Sequence, residues 1–176
     1  MNLVLAFLLF FDSNVVSGPL TMAASTGKKI LVVRVGPHQV KKYDVAVGSK
    51  AHPTPNGSFT IKHMVWNPAW VPPDANWAKG KQPAKPGDPK NPMRAVKIFF
   101  QEPDYYIHGT NDEDSIGYAA SHGCIRMSEA DAVELARYLM EQEGIKHDDD
   151  WYSNVLSSDK PTDVRLPAGI PIAIGK

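Results

Sequence analysis

Short runs of β-branched and aromatic residues, each ended by glycine or proline, dominate the chain from residue 28 onward. Such residues favour strands, whereas a helix needs a longer run with a 3.6-residue period. Residues 30–35 and 40–47 flank Gly36-Pro37 and predict a β-hairpin. Later strands are predicted at 58–66, 93–100, 105–107 and 170–174. Pro171 lacks an N–H, so the last strand is expected at a sheet edge or to start near the proline.

One segment after residue 127 has a helical pattern. Apolar residues recur at 132, 135, 136 and 139, a sequence that resembles a capping box begins at Ser128, and Gly144 ends the pattern. The acidic run 148–150 is predicted to be a solvated loop. The chain is therefore expected to be mainly β with one or two helices.

Residues 67–92 contain seven prolines and predict a long irregular segment. Segments of this kind in compact domains are uncommon, and they are often lids or binding loops. One interpretation is a surface excursion that is held down by its tryptophans. The other is a lid over a functional site, with Trp66 and Trp70 as its contact residues and Trp77 beside them.

Composition limits the classes of function. The chain has 176 residues, which suits one domain, with 19 basic and 19 acidic residues. No basic excess or stripe marks a nucleic-acid partner. No residue pattern calls for a cofactor.

The first eleven residues form an apolar run, and small residues follow at 23–25. The run is far shorter than the roughly 20 residues of a membrane-spanning helix. Residues 1–24 are predicted to be a signal peptide and residues 28–176 the mature domain, exported to the periplasm or cell envelope without a stable membrane span. A buried N-terminal helix and a membrane anchor are the alternatives.

Cys124 is the only cysteine, and it lies in Ser121-His122-Gly123-Cys124-Ile125. A single thiol forms no internal disulfide, so it is either a small buried residue or a chemical group. Thiol catalysis needs a nearby base, and both His122 and His108 are candidates. Sequence spacing does not decide between them.

Other residues near the thiol suggest supporting roles. Gly123 allows close approach of a substrate, and its amide and that of Cys124 are candidate oxyanion donors. Arg126 offers a planar fork that suits a carboxylate. Zinc held by the two histidines and the cysteine is a further alternative, although the preferred prediction contains no metal. The other histidines, at 38, 52, 63 and 147, are expected on the surface or in loops.

The segments 108–110, 115–117 and 121–127 together resemble the signature of the L,D-transpeptidase catalytic domain, the YkuD family. Residues 53–59, 67–73 and 167–172 resemble further family segments, so the likeness covers about residues 28–175. The acidic run 111–114 departs from the family pattern, which often has a proline there, and puts acceptor preference in doubt.

The resemblance implies a mainly β sandwich or barrel with a lid loop over a cleft that contains the cysteine. It implies that Cys124 is the nucleophile, that His108 is the base and that the Gly109 carbonyl orients the imidazole. His122 would shape the site and Arg126 would contact a substrate carboxylate. Two further residues, Ser121 and Thr110, would be supporting groups.

The implied reaction is acyl transfer on peptidoglycan stem peptides. The thiol would attack the carbonyl of the third residue, release the terminal D-alanine and pass the acyl group to an amine. Two alternatives are an L,D-carboxypeptidase or cross-link hydrolase that uses water, and a cell-wall-binding module without turnover.

Overall fold

The computed structural model describes residues 17–176. Its helices are α1 (Glu129–Gln142) and α2 (Asp149–Ser157), with short 3₁₀ turns at Asn76–Ala78 and Glu113–Ser115. The strands are β1 (Leu20–Ser25), β2 (Ile30–Val35), β3 (His38–Asp44), β4 (Val47–Gly48), β5 (Gly57–Trp66), β6 (Val96–Gln101), β7 (Tyr105–Gly109), β8 (Ala119–Ser121), β9 (Ile125–Met127) and β10 (Thr162–Gly175). The expected mainly β fold with two helices is confirmed.

Eight strands form one sheet in the order β3-β2-β1-β10-β5-β6-β7-β9, and β4 and β8 pair separately. Neighbours in the large sheet are antiparallel except for β1 with β10 and β7 with β9. The parallel pair β7–β9 lies at one end of the sheet. This pair carries both His108 and the segment that follows Cys124.

The main core fills one face of this sheet and is covered by α1. Ile98, Ile107 and Ile125 project from β6, β7 and β9 and are fully buried with Leu135 and Leu139 of α1. Successive residues of a strand point to opposite faces. The neighbours of these core residues in β6, β7 and β9 therefore face the other side of the sheet, where the functional candidates lie.

Two predictions from local pattern are confirmed. β2 and β3 pair as an antiparallel hairpin around residues 36–37. Helix α1 begins where expected, because the Ser128 side chain accepts a hydrogen bond from the Asp131 N–H at 3.0 Å. This bond satisfies one of the free N–H groups at a helix N-terminus, which is why serine is favoured there.

Two other predictions are corrected. The acidic run 148–150 is not a loop, because Asp148 caps α2 by accepting from the Trp151 N–H at 2.8 Å. The strand that contains Pro171 is not at an edge, since β10 lies between β1 and β5. The ladder with β1 begins at Ile172, directly after Pro171, so the missing N–H falls just outside that ladder.

The sheet begins upstream of the predicted domain start at residue 28. Residues 20–25 form β1, which pairs with β2 on one side and with β10 on the other. A leader that ended at residue 24 would remove most of this inner strand. Residues 1–16 of the predicted leader lie outside the described residues. Between residues 17 and 176, neither helix is long and apolar enough to cross a bilayer.

Candidate active site

The functional candidates meet on the face of β6, β7 and β9 that is opposite α1. His108 is paired in register with Lys97 of β6 and with Arg126 of β9. Tyr106 shares this face with His108, two residues away along β7. Cys124 immediately precedes β9 and lies on the same face as Arg126. Strand pairing therefore brings together residues that are distant in sequence.

His108 is buried, and one hydrogen bond fixes its ring. Its Nδ1–H donates to the Gly109 carbonyl at 2.5 Å, which leaves Nε2 as the unprotonated nitrogen of the neutral ring. Burial lowers the pKa of His108 to about 3, and the nearby Arg126 charge acts in the same direction. The imidazole is therefore neutral at physiological pH.

Gly109 also has a packing reason to be glycine. A Cβ at this position would lie 3.0 Å from the Arg94 Cβ and 3.2 Å from the Glu129 Cα. Those contacts are tighter than ordinary van der Waals distances. The absent side chain lets the start of α1 pack closely against the end of β7.

The turn before Cys124 is held by Ser121. The Ser121 hydroxyl donates to the Cys124 carbonyl at 2.5 Å and accepts from the Gly123 N–H at 3.1 Å. Gly123 has φ +114°, and a Cβ there would lie 2.7 Å from the Tyr105 ring. Any larger residue would be strained and would displace this ring. The turn is therefore rigid, and it fixes the position of the thiol.

The same contacts correct one expectation about the oxyanion donors. Sequence reasoning named the amides of both Gly123 and Cys124. The Gly123 N–H is already bonded to the Ser121 hydroxyl. Of that pair, the Cys124 N–H remains as the candidate.

Cys124 is partly exposed. It donates to the Asp104 carbonyl at 3.4 Å rather than to His108. Burial raises the pKa of the thiol to about 11. The opposing influences on that pKa come from the N–H and phenol of Tyr106 and from the charges of Lys97 and Arg126. The resting site therefore holds a neutral thiol beside groups that favour its anion.

Trp77, from the proline-rich segment, packs on His122, two residues before Cys124. Its ring stacks on His122 with centroids 3.9 Å apart and planes 17° apart. His52 lies on the same imidazole at 5.0 Å. Burial, and then the charges of His52, Arg126 and Lys81, lower the pKa of His122. A neutral His122 ring and the indole thus pack together beside the turn that carries Cys124.

The two tryptophans predicted as lid residues do not occupy that position. Trp66 belongs to β5 and is fully buried in the main core, where its indole N–H points to the Met140 sulfur at 3.2 Å. Trp70 is buried in a small cluster with Ala84 and Met93, against which Trp77 also packs. The prediction for Trp66 is wrong, because strand alternation in β5 turns this residue toward α1. Trp70 stabilises the segment from inside, and Trp77 makes the contact with the site.

Arg126 and Thr110 are both engaged with the acidic segment 111–114. The Arg126 Nη1 lies 3.2 Å from a carboxylate oxygen of Asp112. The Thr110 hydroxyl accepts from the Asp112 N–H at 3.0 Å. The guanidinium that was expected to bind a substrate carboxylate thus already has a carboxylate beside it. The acidic run 111–114, which departs from the family pattern, therefore places a carboxylate next to Arg126.

His63 is not a surface or loop residue as expected. It is buried in β5, with its ring nitrogens 2.9 Å from Glu102 and 2.8 Å from Asp163. Its ring stacks on Phe99 at 5.0 Å. No cluster of three His, Cys, Asp or Glu side chains suited to a metal ion occurs within residues 17–176.

Sequence reasoning missed Tyr106 and Lys97. The signal for Tyr106 was present, because residues two apart in a strand share a face and Tyr106 precedes His108 by two. Lys97 alternates with the apolar Val96 and Ile98, a pattern that a solvent-exposed lysine would also give. Only the strand order shows that this face is covered and contains the thiol.

Residues 21–156 match the sequence model of the YkuD family, described as the L,D-transpeptidase catalytic domain. This span is well over half of the chain. The chain belongs to the L,D-transpeptidase family. The match also includes β1, in agreement with the early start of the sheet.

Named relatives support the same family. YkuD of Bacillus subtilis strain 168, which carries an L,D-transpeptidase name, is 34% identical over 118 residues, or 67% of this chain and 59% of that protein. YqjB of the same organism, also named as an L,D-transpeptidase, is 36% identical over 98 residues, or 53% and 51%. The chain thus spans between half and three fifths of the length of these relatives.

Solved structures show the same fold. An L,D-transpeptidase from Mycobacterium smegmatis superposes with a TM-score of 0.57 at 18% identity, covering 88% of this chain and 58% of that one. The C442S mutant of the Enterococcus faecium L,D-transpeptidase gives 0.57 at 12% identity, covering 90% and 50%. At such low identities the likeness concerns the fold.

Proposed function

We propose that this family member is a cysteine acyltransferase that acts on peptidoglycan stem peptides. The observation that carries the proposal is the meeting of Cys124, His108 and Arg126 on one covered face of β7 and β9. In this proposal Cys124 is the nucleophile, His108 is the base and the Gly109 carbonyl orients the imidazole.

The reaction would proceed in two steps. The Cys124 sulfur attacks the carbonyl carbon of the third stem residue after the thiol proton passes to His108 Nε2. The tetrahedral intermediate collapses, the C–N bond breaks, and D-alanine leaves with that proton. The thioester is then attacked by an amine, which forms a cross-link, and the thiol is regenerated.

The orientation of His108 supports this role. Because Nδ1–H is bonded to the Gly109 carbonyl, the lone pair of the neutral ring is on Nε2. A neutral imidazole is the form that accepts a proton. The sulfur and the imidazole are not hydrogen-bonded in this structure, and catalytic contacts commonly tighten only when substrate binds.

The positive charges near the sulfur suit the carboxylates of a stem peptide. Arg126 and Lys97 place two cations close to the sulfur. A carboxylate of the stem peptide would compete with Asp112 for the Arg126 guanidinium. Asp112 then becomes a determinant of which donor or acceptor is preferred.

We further propose that the chain is exported to the periplasm or cell envelope, where peptidoglycan is found. The apolar N-terminal run supports this localisation. Because β1 is an inner strand of the sheet, the leader would have to end before Leu20 rather than at residue 24.

The function can be tested by following D-alanine release from a stem tetrapeptide. The wild-type chain is expected to release D-alanine, and Cys124→Ala is expected to release none while keeping its thermal unfolding transition. His108→Ala should lower the rate by about 10²–10⁴. Mass spectrometry with and without an added amine then separates transpeptidation from hydrolysis. Release of D-alanine by Cys124→Ala would overturn the proposal.

A further inference from the structure

Lys97 is a half-buried cation without an acidic partner. None of the seven ion pairs formed among residues 17–176 includes it. Its ammonium donates to the Ala69 carbonyl at 3.3 Å and lies 5.0 Å from the centroid of the Tyr106 ring. Removing a charge from water without a counter-charge is costly, so such a group calls for an explanation.

Tyr106 contacts this cation through its ring and neighbours Cys124 through the strand register. Its ring is fixed by edge-to-face contacts with Phe99 at 5.2 Å and with His108 at 5.5 Å. In the parallel β7–β9 ladder the first pair is Ile107 with Ile125, so Tyr106 and Cys124 are the next positions back along the two strands. The phenol and the backbone N–H of Tyr106 both lower the pKa of the thiol, while the sulfur's own hydrogen bond in this structure goes to the Asp104 carbonyl.

We propose that Tyr106 is a catalytic donor to the Cys124 sulfur and that Lys97 is a positioning residue that stabilises the anionic sulfur from behind the Tyr106 ring. This inference rests on the proposed thiol chemistry and adds to it two residues that the Cys124–His108 pair does not include. The step balances simply: the S–H electron pair stays on sulfur, the proton goes to His108, and Tyr106 keeps its own proton.

The surroundings of Tyr106 support its role as a donor. Burial and the adjacent thiolate charge raise the pKa of the phenol well above its usual range, so it remains protonated. Burial lowers the pKa of Lys97, whereas a thiolate at Cys124 raises it again. The ammonium and the thiolate are therefore coupled, each favouring the charged form of the other.

The titratable and charged groups around the sulfur each have a defined place. His122, two residues before Cys124, stacks on Trp77, and burial lowers its pKa. Arg126 is already engaged with Asp112, and His108 is neutral and bonded to Gly109. Asp104 opposes ionisation of Tyr106 and contributes its carbonyl to the thiol. Lys97 is thus the cation near the sulfur with no carboxylate to offset it.

The test measures the thiol itself and needs no peptide. The alkylation rate of Cys124 by iodoacetamide is recorded against pH for the wild-type chain, Tyr106→Phe and Lys97→Met. Loss of one donor or one charge is expected to raise the midpoint of the profile by about one pH unit. Because the thiolate of a weaker acid is a better nucleophile, the alkylation rate near neutral pH should fall only about threefold to fourfold for each unit by which the midpoint rises.

Matched variants separate chemistry from structure. Lys97→Arg keeps the charge and should retain a profile near that of the wild-type chain. Tyr138→Phe in α1 and Lys42→Met in β3 make the same changes far from the cleft and should leave the profile unmoved. Circular dichroism establishes that each variant is folded, and Tyr106→Phe removes only one oxygen atom.

Different results would overturn the roles of Tyr106 and Lys97 and the proposed function. If Tyr106→Phe and Lys97→Met both keep the wild-type midpoint, the inference is overturned, whatever the peptide assay shows. If the midpoints rise but no stem peptide is turned over, the proposed function fails and the thiol assignment stands. A shift in Lys97→Arg as large as in Lys97→Met would also contradict the role of the charge.

Discussion

At the scale of single residues, the two groups that would exchange a proton are both held in their neutral forms. The pKa of His108 is lowered to about 3 and that of Cys124 is raised to about 11. Burial is the largest cause in both cases, because removal from water disfavours a charge of either sign. The resting site is therefore a neutral thiol beside a neutral imidazole rather than an ion pair. Ionisation has to be assisted by neighbouring donors and cations.

The depressed pKa of His108 has a consequence for stability. Between about pH 6.5 and pH 3 the unfolded chain binds a proton at this position that the folded chain excludes. The folded state should therefore lose stability as pH falls through this window, and His108→Gln should lose less. Thermal unfolding of both proteins at pH 7 and pH 4.5 measures the difference.

The matched control is His38→Gln, since His38 is exposed in β3. That variant should show the same acid sensitivity as the wild-type chain. An equal drop in melting temperature for His108→Gln and for the wild-type chain would contradict the assignment of a buried neutral imidazole.

The sequence named candidate reactive residues but not their contacts. Residue type and spacing indicated Cys124 and Gly123 and left both His108 and His122 open as the base, whereas the choice of His108 and the Gly109 role came from family resemblance. Occupation of the Gly123 N–H by Ser121 and of Arg126 by Asp112 could not be predicted. Both contacts depend on side-chain directions in turns, and the periodicity of hydrophobic residues does not predict these directions.

At the scale of elements, the proline-rich segment packs against the turn that precedes β9, beside the β7–β9 pair. The sequence of the segment left open a surface excursion or a lid, and its Trp77 lies on His122. The sequence could not show which tryptophan makes that contact, because Trp66 and Trp77 are equally apolar. Trp66 faces α1 because the alternation of side chains along β5 turns it to that side of the sheet. Trp77 contacts His122, which is 45 positions later in the sequence, only through tertiary packing.

Removing the Trp77 ring should open the cleft. Trp77→Ala is expected to speed the reaction of Cys124 with a bulky maleimide severalfold relative to iodoacetamide, because the ring packed on His122 is lost. The ratio of the two rate constants measures access independently of thiol ionisation. Val71→Ala, on an exposed position of the same segment, should leave the ratio unchanged. A ratio equal to that of the wild-type chain in Trp77→Ala would show that Trp77 does not limit access.

At the scale of the whole molecule, local patterns predicted the elements better than their arrangement. The β2–β3 hairpin and α1 depend on neighbouring residues and were confirmed. The inner position of β10 and the inclusion of β1 depend on pairing between the two ends of the chain. No local sequence pattern predicts such pairing. The small residues at 23–25 resemble the end of a leader, so β1 was not predicted as a strand.

The place of β1 predicts how the chain tolerates truncation. Removal of residues 1–19 should leave the thermal unfolding transition in place. Removal of residues 1–24 should abolish it, because the sheet loses a strand between β2 and β10 together with the buried Met22 and Ala24. Domains are stable by only about 5–15 kcal/mol, so loss of an inner strand is expected to be decisive. A cooperative transition at unchanged temperature in the shorter chain would show that β1 is dispensable.

Intact-mass spectrometry detects the thioester that Cys124 is expected to form with a peptidoglycan stem peptide. After incubation with a stem tetrapeptide, the wild-type chain should gain the mass of the peptide less D-alanine, whereas Cys124→Ala should gain nothing. Digestion should then locate the added mass on the peptide that contains Cys124. An adduct that persists in Cys124→Ala, or D-alanine release by the wild-type chain without any thioester even after rapid acid quenching, would contradict the account.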